Sequence, residues 1–137
     1  MAVEPRLVEL ERGVAASLRK HVREEEESLR RHIKKQTDCS GLLERIQYLV
    51  SGNIQELTLL APLGADVSAH AHVPSVSRVW VDVGLDVFLE FSLSEAVAFL
   101  TAKLDRLTSE VKASLERLSA VRARLEKLQT DGILFRQ

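Results

Sequence analysis

The chain has 137 residues, of which 45% are hydrophobic, 28% are charged and only 4% are aromatic. This length predicts one domain rather than a two-domain enzyme, and the shortage of aromatic residues favours long amphipathic helices over a thick globular core. The 19 basic and 20 acidic side chains nearly cancel, so charge gives no reason to expect nucleic acid or an anionic membrane as a partner. With no leader pattern, no apolar span of roughly 20 residues and a single cysteine, we expect a cytoplasmic protein that is also able to enter the nucleus.

A proline-free amphipathic run from about residue 6 to 51 predicts the first long helix. Apolar residues recur along it at gaps of three, four or seven, which is typical of a helix with one buried face. They are Leu7, Leu10, Val14, Leu18, Val22, Leu29, Ile33, Leu43, Ile46 and Val50. Gly52 and Asn53 tolerate the left-handed backbone conformation that closes a helix, so the helix is expected to stop there.

The segment from about residue 57 to 91 gathers glycine, proline and short valine-rich runs, which predicts two β-hairpins. The four predicted strands are Leu57–Ala61, Val67–Val73, Val79–Val83 and Val87–Phe91. Alternation in the last three strands places their valines on one face and His70, His72, Trp80 and Phe88 on the other. Four short strands leave edges and faces that one subunit cannot cover, so we expect other subunits to pack against them.

Ser92 and Glu95 have the spacing of a capping box, which predicts that a second long helix starts there and runs over about residues 93–130. Its apolar positions alternate gaps of three and four, and this narrow stripe requires a partner helix. They are Val97, Leu100, Leu104, Leu107, Val111, Leu118, Val121, Leu125 and Leu128, with Ser114 as the only polar member. The predicted fold class is α+β, in which two long helices form an antiparallel coiled coil joined by two β-hairpins, as one domain over residues 1–137.

The middle of the chain resembles the double-hairpin region of α-class prefoldin subunits in the order and spacing of its segments. The matching segments are Leu59–Gly64, Val73-Pro74 and Arg78–Gly84, and the continuation Val87–Ala96 looks most like α-class members of prefoldin-like complexes. The resemblance implies a co-chaperone subunit of a hetero-hexamer, with hairpins of two α-class and four β-class subunits forming the body. It also implies coiled-coil arms that hold non-native or assembling clients without nucleotide or cofactor. The implied partners are β-class subunits, a second α-class subunit and unfolded or assembling client proteins.

The ends of the predicted arms provide the candidate client-binding residues, because the first turns of one helix meet the last turns of the other there. These residues are Leu7, Val8, Leu10, Val14, Leu125, Leu128, Ile133, Leu134 and Phe135. Exposed apolar side chains would bind unfolded segments without sequence preference. For Leu10, Val14 and Leu125 the heptad position favours burial in the seam instead, whereas no seam accounts for residues 133–135.

The hairpins provide the candidate subunit interface. Its residues are Leu59, Val79, Trp80, Val81, Phe88 and Phe91. Trp80 is the only tryptophan, and buried aromatic residues commonly anchor subunit contacts. Packing of Trp80 against the subunit's own helices is the alternative.

A charged run at residues 23–27, followed by basic residues at 30, 31, 34 and 35, predicts a solvated helix face. Glu26 and Arg30, like Glu27 and Arg31, have the four-residue spacing of helical ion pairs. Glu25 and Glu26 also fall where apolar residues would continue the stripe, so a locally loosened seam is the alternative interpretation.

Neither the histidines nor the cysteine has the surroundings that chemistry requires. His70 and His72 share a strand face, but zinc needs further ligands, so a solvent or interface face is the favoured interpretation. Cys39 has no evident base and is predicted to be a small residue of the seam or its flank. No P-loop, dinucleotide fingerprint, zinc helix or serine elbow occurs, and we expect no enzyme activity, metal or cofactor. Two alternatives stay open: a coiled-coil adaptor or transcription cofactor that recruits proteins and, on the two histidines alone, a metal-dependent enzyme.

Overall fold

The computed structural model describes residues 4–131, which form two long helices with two β-hairpins between them. The elements are α1 (Pro5–Ser51), β1 (Leu57–Gly64), β2 (Val67–Val73), β3 (Arg78–Gly84), β4 (Val87–Ser92) and α2 (Leu93–Asp131). The predicted α+β class and element order are confirmed. Strand β1 runs three residues further than predicted, through Pro62. Neither of the described helices has the length and apolar character needed to cross a bilayer.

Helix α1 ends at the predicted stop signal, with asparagine rather than glycine in the left-handed conformation. Asn53 has φ 49°, and the backbone N–H of Ile54 donates to the carbonyl of Leu49 at 3.2 Å. The N–H of Gly52 donates to the carbonyl of Tyr48 at 2.9 Å. These bonds satisfy carbonyl groups that would otherwise lack partners at the end of a helix.

Helix α2 begins at the predicted cap. The Ser92 hydroxyl accepts a hydrogen bond from the backbone N–H of Glu95 at 3.2 Å, as an N-cap serine should. The Glu95 carboxylate accepts from the Ser92 hydroxyl at 3.0 Å rather than from its backbone N–H. The capping box is therefore present in residue types and spacing, with its second bond made through the serine side chain.

Each hairpin closes through a two-residue turn in which both residues have positive φ. Ala65 and Asp66 have φ 49° and 61°, and Leu85 and Asp86 have φ 55° and 58°. A pair of left-handed residues is the type I′ geometry, whose twist matches the twist of antiparallel strands. Gly64 and Gly84, which precede the two turns, both have φ 106°. The antiparallel register of each hairpin shifts by one residue just before its glycine.

The described chain divides into two compact units, residues 4–36 with 106–131 and residues 37–105. We call them the helical unit and the hairpin unit. In the helical unit α1 and α2 run antiparallel, since Glu25 contacts Arg117 while His32 contacts Glu110. Its most buried apolar residues are Ala15, Leu107, Leu118 and Val121. The predicted α2 seam is confirmed, including Ser114, which is completely buried.

The seam of α1 in the helical unit matches the predicted one at Leu18, Val22 and Leu29 and departs from it before and after these residues. The seam positions alternate gaps of three and four and are all buried or half-buried: Val8, Glu11, Ala15, Leu18, Val22, Glu25, Leu29, His32 and Gln36. Glu26 and Ser28 beside the seam are half-buried as well. The expectation that Leu10 and Val14 close the seam is wrong, because both are exposed, Leu10 by 66%. Ile33 is exposed as well. The physical reason is that positions one residue away from the predicted ones, some of them polar, continue the alternation of three and four unbroken through Leu18, Val22 and Leu29.

The hairpin unit contains the last turns of α1, both hairpins and the first turns of α2. Its buried residues are Cys39, Leu43, Ile46, Val76, Ala96 and Leu100. The thiol of Cys39 donates to the carbonyl of Leu100 at 3.6 Å, which agrees with the prediction of a small seam residue. Val76 lies in the connection between the hairpins, and its backbone N–H donates to the carbonyl of Gln55 at 3.0 Å. The strands themselves contribute no fully buried side chain.

Candidate subunit interface

The two hairpins form separate two-stranded sheets, so each of the four described strands has one edge without a strand partner. An isolated two-stranded sheet is marginal in water, and open edges accept further strands. Arg78 and Glu90 form the ion pair that crosses the second hairpin, with the Arg78 Nε 3.2 Å from the Glu90 carboxylate. The hairpins therefore offer backbone hydrogen-bonding groups and side-chain faces that this subunit leaves unused.

The outer face of the second hairpin has two exposed aromatic side chains. In the antiparallel register Trp80 lies opposite Glu90, and Phe88 lies opposite Asp82. Trp80 and Phe88 are therefore diagonal neighbours on one face, close enough for aromatic side chains to contact the same partner. Trp80 is 69% exposed and Phe88 is exposed too, so packing against the subunit's own helices does not bury this tryptophan.

On the opposite face of the second hairpin the β3 side chains are half-buried, whereas Val87 and Leu89 of β4 are exposed. Val79 and Val81 alternate with the exposed residues of β3, as predicted, and lie opposite Phe91 and Leu89. The ring of Phe91 packs against that of Phe99 on α2, with centroids 5.6 Å apart. Phe91 thus connects the hairpin to the helix within the hairpin unit, whereas Leu59 on β1 is exposed.

An open groove of about 810 Å³ lies within the hairpin unit. The last turns of α1, strand β3 and the first turns of α2 line it, mainly with apolar side chains. Its lining includes Leu42, Ile46, Leu49, Ile54, Trp80 and Phe99. Two of the predicted interface residues, Val79 and Val81, also contribute to the groove. Trp80 thus belongs both to the lining of the groove and to the aromatic pair with Phe88.

His70 and His72 are both exposed on the same face of β2, as predicted. The Nδ1 of His72 is 3.3 Å from the Thr58 hydroxyl, and its Nε2 is 3.8 Å from the Glu56 carboxylate. Among residues 4–131 no group of three or more histidine, cysteine, aspartate or glutamate side chains is arranged to hold a metal ion. These contacts are those of an exposed strand face.

The charged run on α1 forms pairs both along its own helix, where Glu24 lies 4.0 Å from Lys20, and across the helical unit. The Glu26 carboxylate is 2.7 Å from Arg122 and does not pair with Arg30 as predicted. Glu25 occupies a seam position and contacts both Arg117 at 3.4 Å and His21 at 3.5 Å. Helix α2 places Arg117 and Arg122 within reach of these carboxylates. These arginines are too far from Glu25 and Glu26 in the sequence for helical spacing to predict the pairs. Glu25 is therefore a paired, half-buried seam residue and not part of a solvated face as predicted, and its contact with Arg117 gives no sign of the loosened seam that was the alternative.

The predicted client-binding residues that can be described lie at the beginning of α1 and the end of α2. Leu7, Leu10 and Val14 are exposed, whereas Val8, Leu125 and Leu128 are half-buried. Val14 and Leu18 of α1 and Leu128 of α2 line one shallow depression of about 480 Å³, so the two helices meet there. We call Leu7, Leu10 and Val14 the helix-end stripe. Ile133, Leu134 and Phe135 lie outside the described residues.

Two features of the hairpin unit were missed by reasoning from the sequence. Leu42 and Leu49, which were not in the predicted run, join the predicted Ile46 in a second apolar stripe that lines the groove, and the gaps of four and three were a signal that could have revealed it. Leu85, at the turn between β3 and β4, is 98% exposed. Alternation carried no information about Leu85, because turn residues belong to neither face of a strand.

The chain matches the family profile described as Prefoldin subunit over residues 18–131. It is 23% identical over 88 residues to the Protein UXT homolog of Dictyostelium discoideum, covering 64% of this chain and 55% of that protein. It is 29% identical over 94 residues to the probable prefoldin subunit 3 of Schizosaccharomyces pombe, covering 69% and 56%. Identity to the human Protein UXT is 32% over 85 residues, covering 62% and 52%. The chain therefore spans about half the length of these curated relatives.

The fold is similar to a chain in the structure of filamentous PFD from Methanocaldococcus jannaschii. The TM-score is 0.69 over 86% of this chain and 97% of that chain, at 17% sequence identity. This similarity supports the arrangement of two long helices and two hairpins. The sequence similarities agree with the predicted resemblance to α-class members of prefoldin-like complexes, since UXT, the ubiquitously expressed transcript protein, is the relative that residues 87–96 resemble.

Proposed function

Because this chain belongs to the prefoldin family, we propose that it is an α-class subunit of a prefoldin or prefoldin-like hetero-hexamer. Its partners would be β-class subunits and a second α-class subunit. The assembly would hold or position non-native or assembling proteins without nucleotide, in the cytoplasm and also in the nucleus. The observation that carries this proposal is the unused surface of the hairpins, which combines open strand edges with the exposed Trp80 and Phe88.

The physical argument for assembly is the cost of leaving this surface in water. Trp80 and Phe88 are among the largest apolar side chains of the chain, and both are exposed on a two-stranded sheet. Adding strands from neighbouring subunits would pair the open edges and cover the aromatic face together. Aromatic residues at the centre of such a surface commonly account for a large part of the binding free energy.

The first test is the native mass of the complex that contains the full-length chain in its own cell extract, with subunits identified by mass spectrometry. A hexamer with α-class and β-class subunits would support the proposal. The double variant Trp80→Ser/Phe88→Ser should reduce the fraction of chain in that complex at least about tenfold, as expected for anchor residues. Leu115→Ser is the matched control, because Leu115 is an exposed leucine on α2, outside the hairpins. Recovery of a lone monomer would contradict assembly.

Client holding is proposed for the helix-end stripe. Its side chains are exposed at gaps of three and four on one side of α1, and Val14 among them lies next to the half-buried Leu128. Exposed apolar groups on a helix bind unfolded segments weakly and with little sequence preference, as a holding chaperone requires. Nucleotide is unnecessary for such binding, because capture and release need only a weak equilibrium.

The test of client holding is suppression of aggregation of an unrelated, chemically denatured protein by the assembled complex. The triple variant Leu7→Ser/Leu10→Ser/Val14→Ser should lose most of the suppression. Ile33→Ser should retain it, because Ile33 is an exposed residue of the same helix outside the stripe. If the triple variant suppresses aggregation as well as the wild type does, the helix-end stripe is not the client site. If the intact complex shows no suppression, an adaptor that recruits protein partners becomes the better description.

A further inference from the structure

The turn between β3 and β4 exposes a leucine side chain, Leu85, to water. Leu85 has φ 55°, a conformation that side chains larger than those of glycine, asparagine or aspartate rarely adopt, and it is 98% exposed. Its isobutyl group therefore has almost no contact within this subunit. The residue combines backbone strain with exposure of an apolar group, and no contact in the described chain offsets either cost.

The first hairpin shows that the turn itself does not require leucine. Both hairpins close through the same pattern, glycine, a variable residue, aspartate and valine, at residues 64–67 and 84–87. Ala65 stands where the second hairpin has Leu85, and its φ of 49° is nearly the same. The two turns therefore share a backbone and differ at the side chain of this one residue. The leucine must be explained by something other than the closure of the hairpin.

The surroundings of Leu85 indicate the chemistry of a partner. Asp82 and Asp86 flank it, and residues 82–87 include no basic side chain. The nearest arginine on the hairpin, Arg78, is engaged by Glu90 at 3.2 Å. A single leucine between two carboxylates is poorly suited to an anionic membrane surface, which would repel both. It is suited to a small apolar pocket with basic residues at its rim.

We propose that Leu85 is an anchor that inserts into an apolar pocket with a basic rim on a neighbouring prefoldin-type subunit. The inference rests on the proposed function, which supplies the neighbour. Strands β3 and β4 each have an open edge that ends at this turn, so a strand added to either edge passes beside Leu85. The second hairpin thereby acquires an apolar contact at its turn that the first hairpin, with Ala65, does not make.

The experiment compares full-length wild type, Leu85→Asn, Leu85→Ala and Ala65→Asn in the complex described above. Asparagine adopts the left-handed conformation readily, so Leu85→Asn preserves the turn while it removes the apolar side chain. The concentration at which the complex dissociates on dilution should rise about 10- to 100-fold for both Leu85 variants, the range expected for losing one buried leucine. Ala65→Asn should leave dissociation unchanged. The thermal unfolding midpoint of the chain should stay the same or rise for both asparagine variants.

Two further variants test the basic rim. Asp86→Lys should weaken the complex, and the loss should shrink as salt concentration rises, whereas Asp66→Lys in the other turn should have no effect. Equal dissociation of the Leu85 variants and wild type would overturn the proposal. So would an equal loss from Ala65→Asn, a lower unfolding midpoint for Leu85→Asn, or an effect confined to association between copies of this chain. Failure of the wild type to join any prefoldin-type complex would instead overturn the proposed function.

Discussion

Replacement of Ser114 by alanine is expected to raise the free energy of unfolding of this chain. Ser114 lies in the seam of α2 in the helical unit, is 0% exposed, and its Oγ has no hydrogen-bond partner among the described residues. In the unfolded chain water solvates this hydroxyl group. Folding therefore removes the hydroxyl from water without replacing the lost hydrogen bonds, and the native state carries that cost.

The expected gain follows from two contributions. A buried hydroxyl without a partner costs about 1–3 kcal/mol, which alanine abolishes because it has no polar side-chain atom. Alanine is also the better helix former, by about 0.5 kcal/mol. Loss of one oxygen atom leaves a void far smaller than a methylene group, so the cavity penalty is minor. Ser114→Ala should stabilise the chain by about 1.5–3 kcal/mol.

The assay is equilibrium unfolding in urea, followed by circular dichroism of the two helices. Ser119→Ala is the matched control, because Ser119 is exposed on the same helix and its replacement changes helix propensity alone. The difference between the two variants isolates the buried hydroxyl. If both variants stabilise the chain equally, the Ser114 hydroxyl has a partner in solution and the reasoning is refuted.

Substitutions at three other positions test the fold. Leu100→Ala, at a residue 3% exposed in the hairpin unit, should lower the free energy of unfolding by about 2–5 kcal/mol in urea unfolding. Ser92→Ala should cost about 1 kcal/mol by removing the N-cap bond to Glu95, measured in the same way, and an unchanged midpoint would argue against the cap. Asn53→Gly should be neutral or stabilising whereas Asn53→Ala should destabilise by about 1 kcal/mol, because glycine and asparagine accept φ 49° more readily than alanine does. Equal thermal midpoints for the two variants would contradict the left-handed helix end.

The order of elements and most of their bounds could be predicted because local signals are strong in this chain. Left-handed Asn53 ends α1, the Ser92 cap begins α2, and alternating valines mark β3. These signals depend on backbone preferences and on residues close in sequence. They hold without knowledge of which distant segment packs against them.

The register of the α1 seam could be predicted at Leu18, Val22 and Leu29 but not in the first turns of the helix. Leu7, Leu10 and Val14 have helical spacing and are more hydrophobic than Glu11 and Ala15, so a hydrophobicity pattern selects the wrong face. Glu25 is half-buried, and its carboxylate lies 3.4 Å from Arg117 on α2. Such cross-helix ion pairs lower the cost of a polar residue in a seam, and their geometry is absent from local sequence.

The candidate interface, too, could be predicted only in part from the sequence. Alternation along β3 and β4 was enough to place Trp80 and Phe88 on one face, because successive side chains of any strand point to opposite sides. Whether the helices cover that face depends on how segments far apart in sequence pack, and the fold leaves Trp80 69% exposed. The exposure of Leu85 and the groove beside Trp80 likewise arise from packing. Periodicity in the sequence thus identified the helices, the hairpins and the sides of the strands. Burial, seam register and ion-pair partners required the tertiary structure, because the free energy of each side chain depends on the contacts that distant segments make with it.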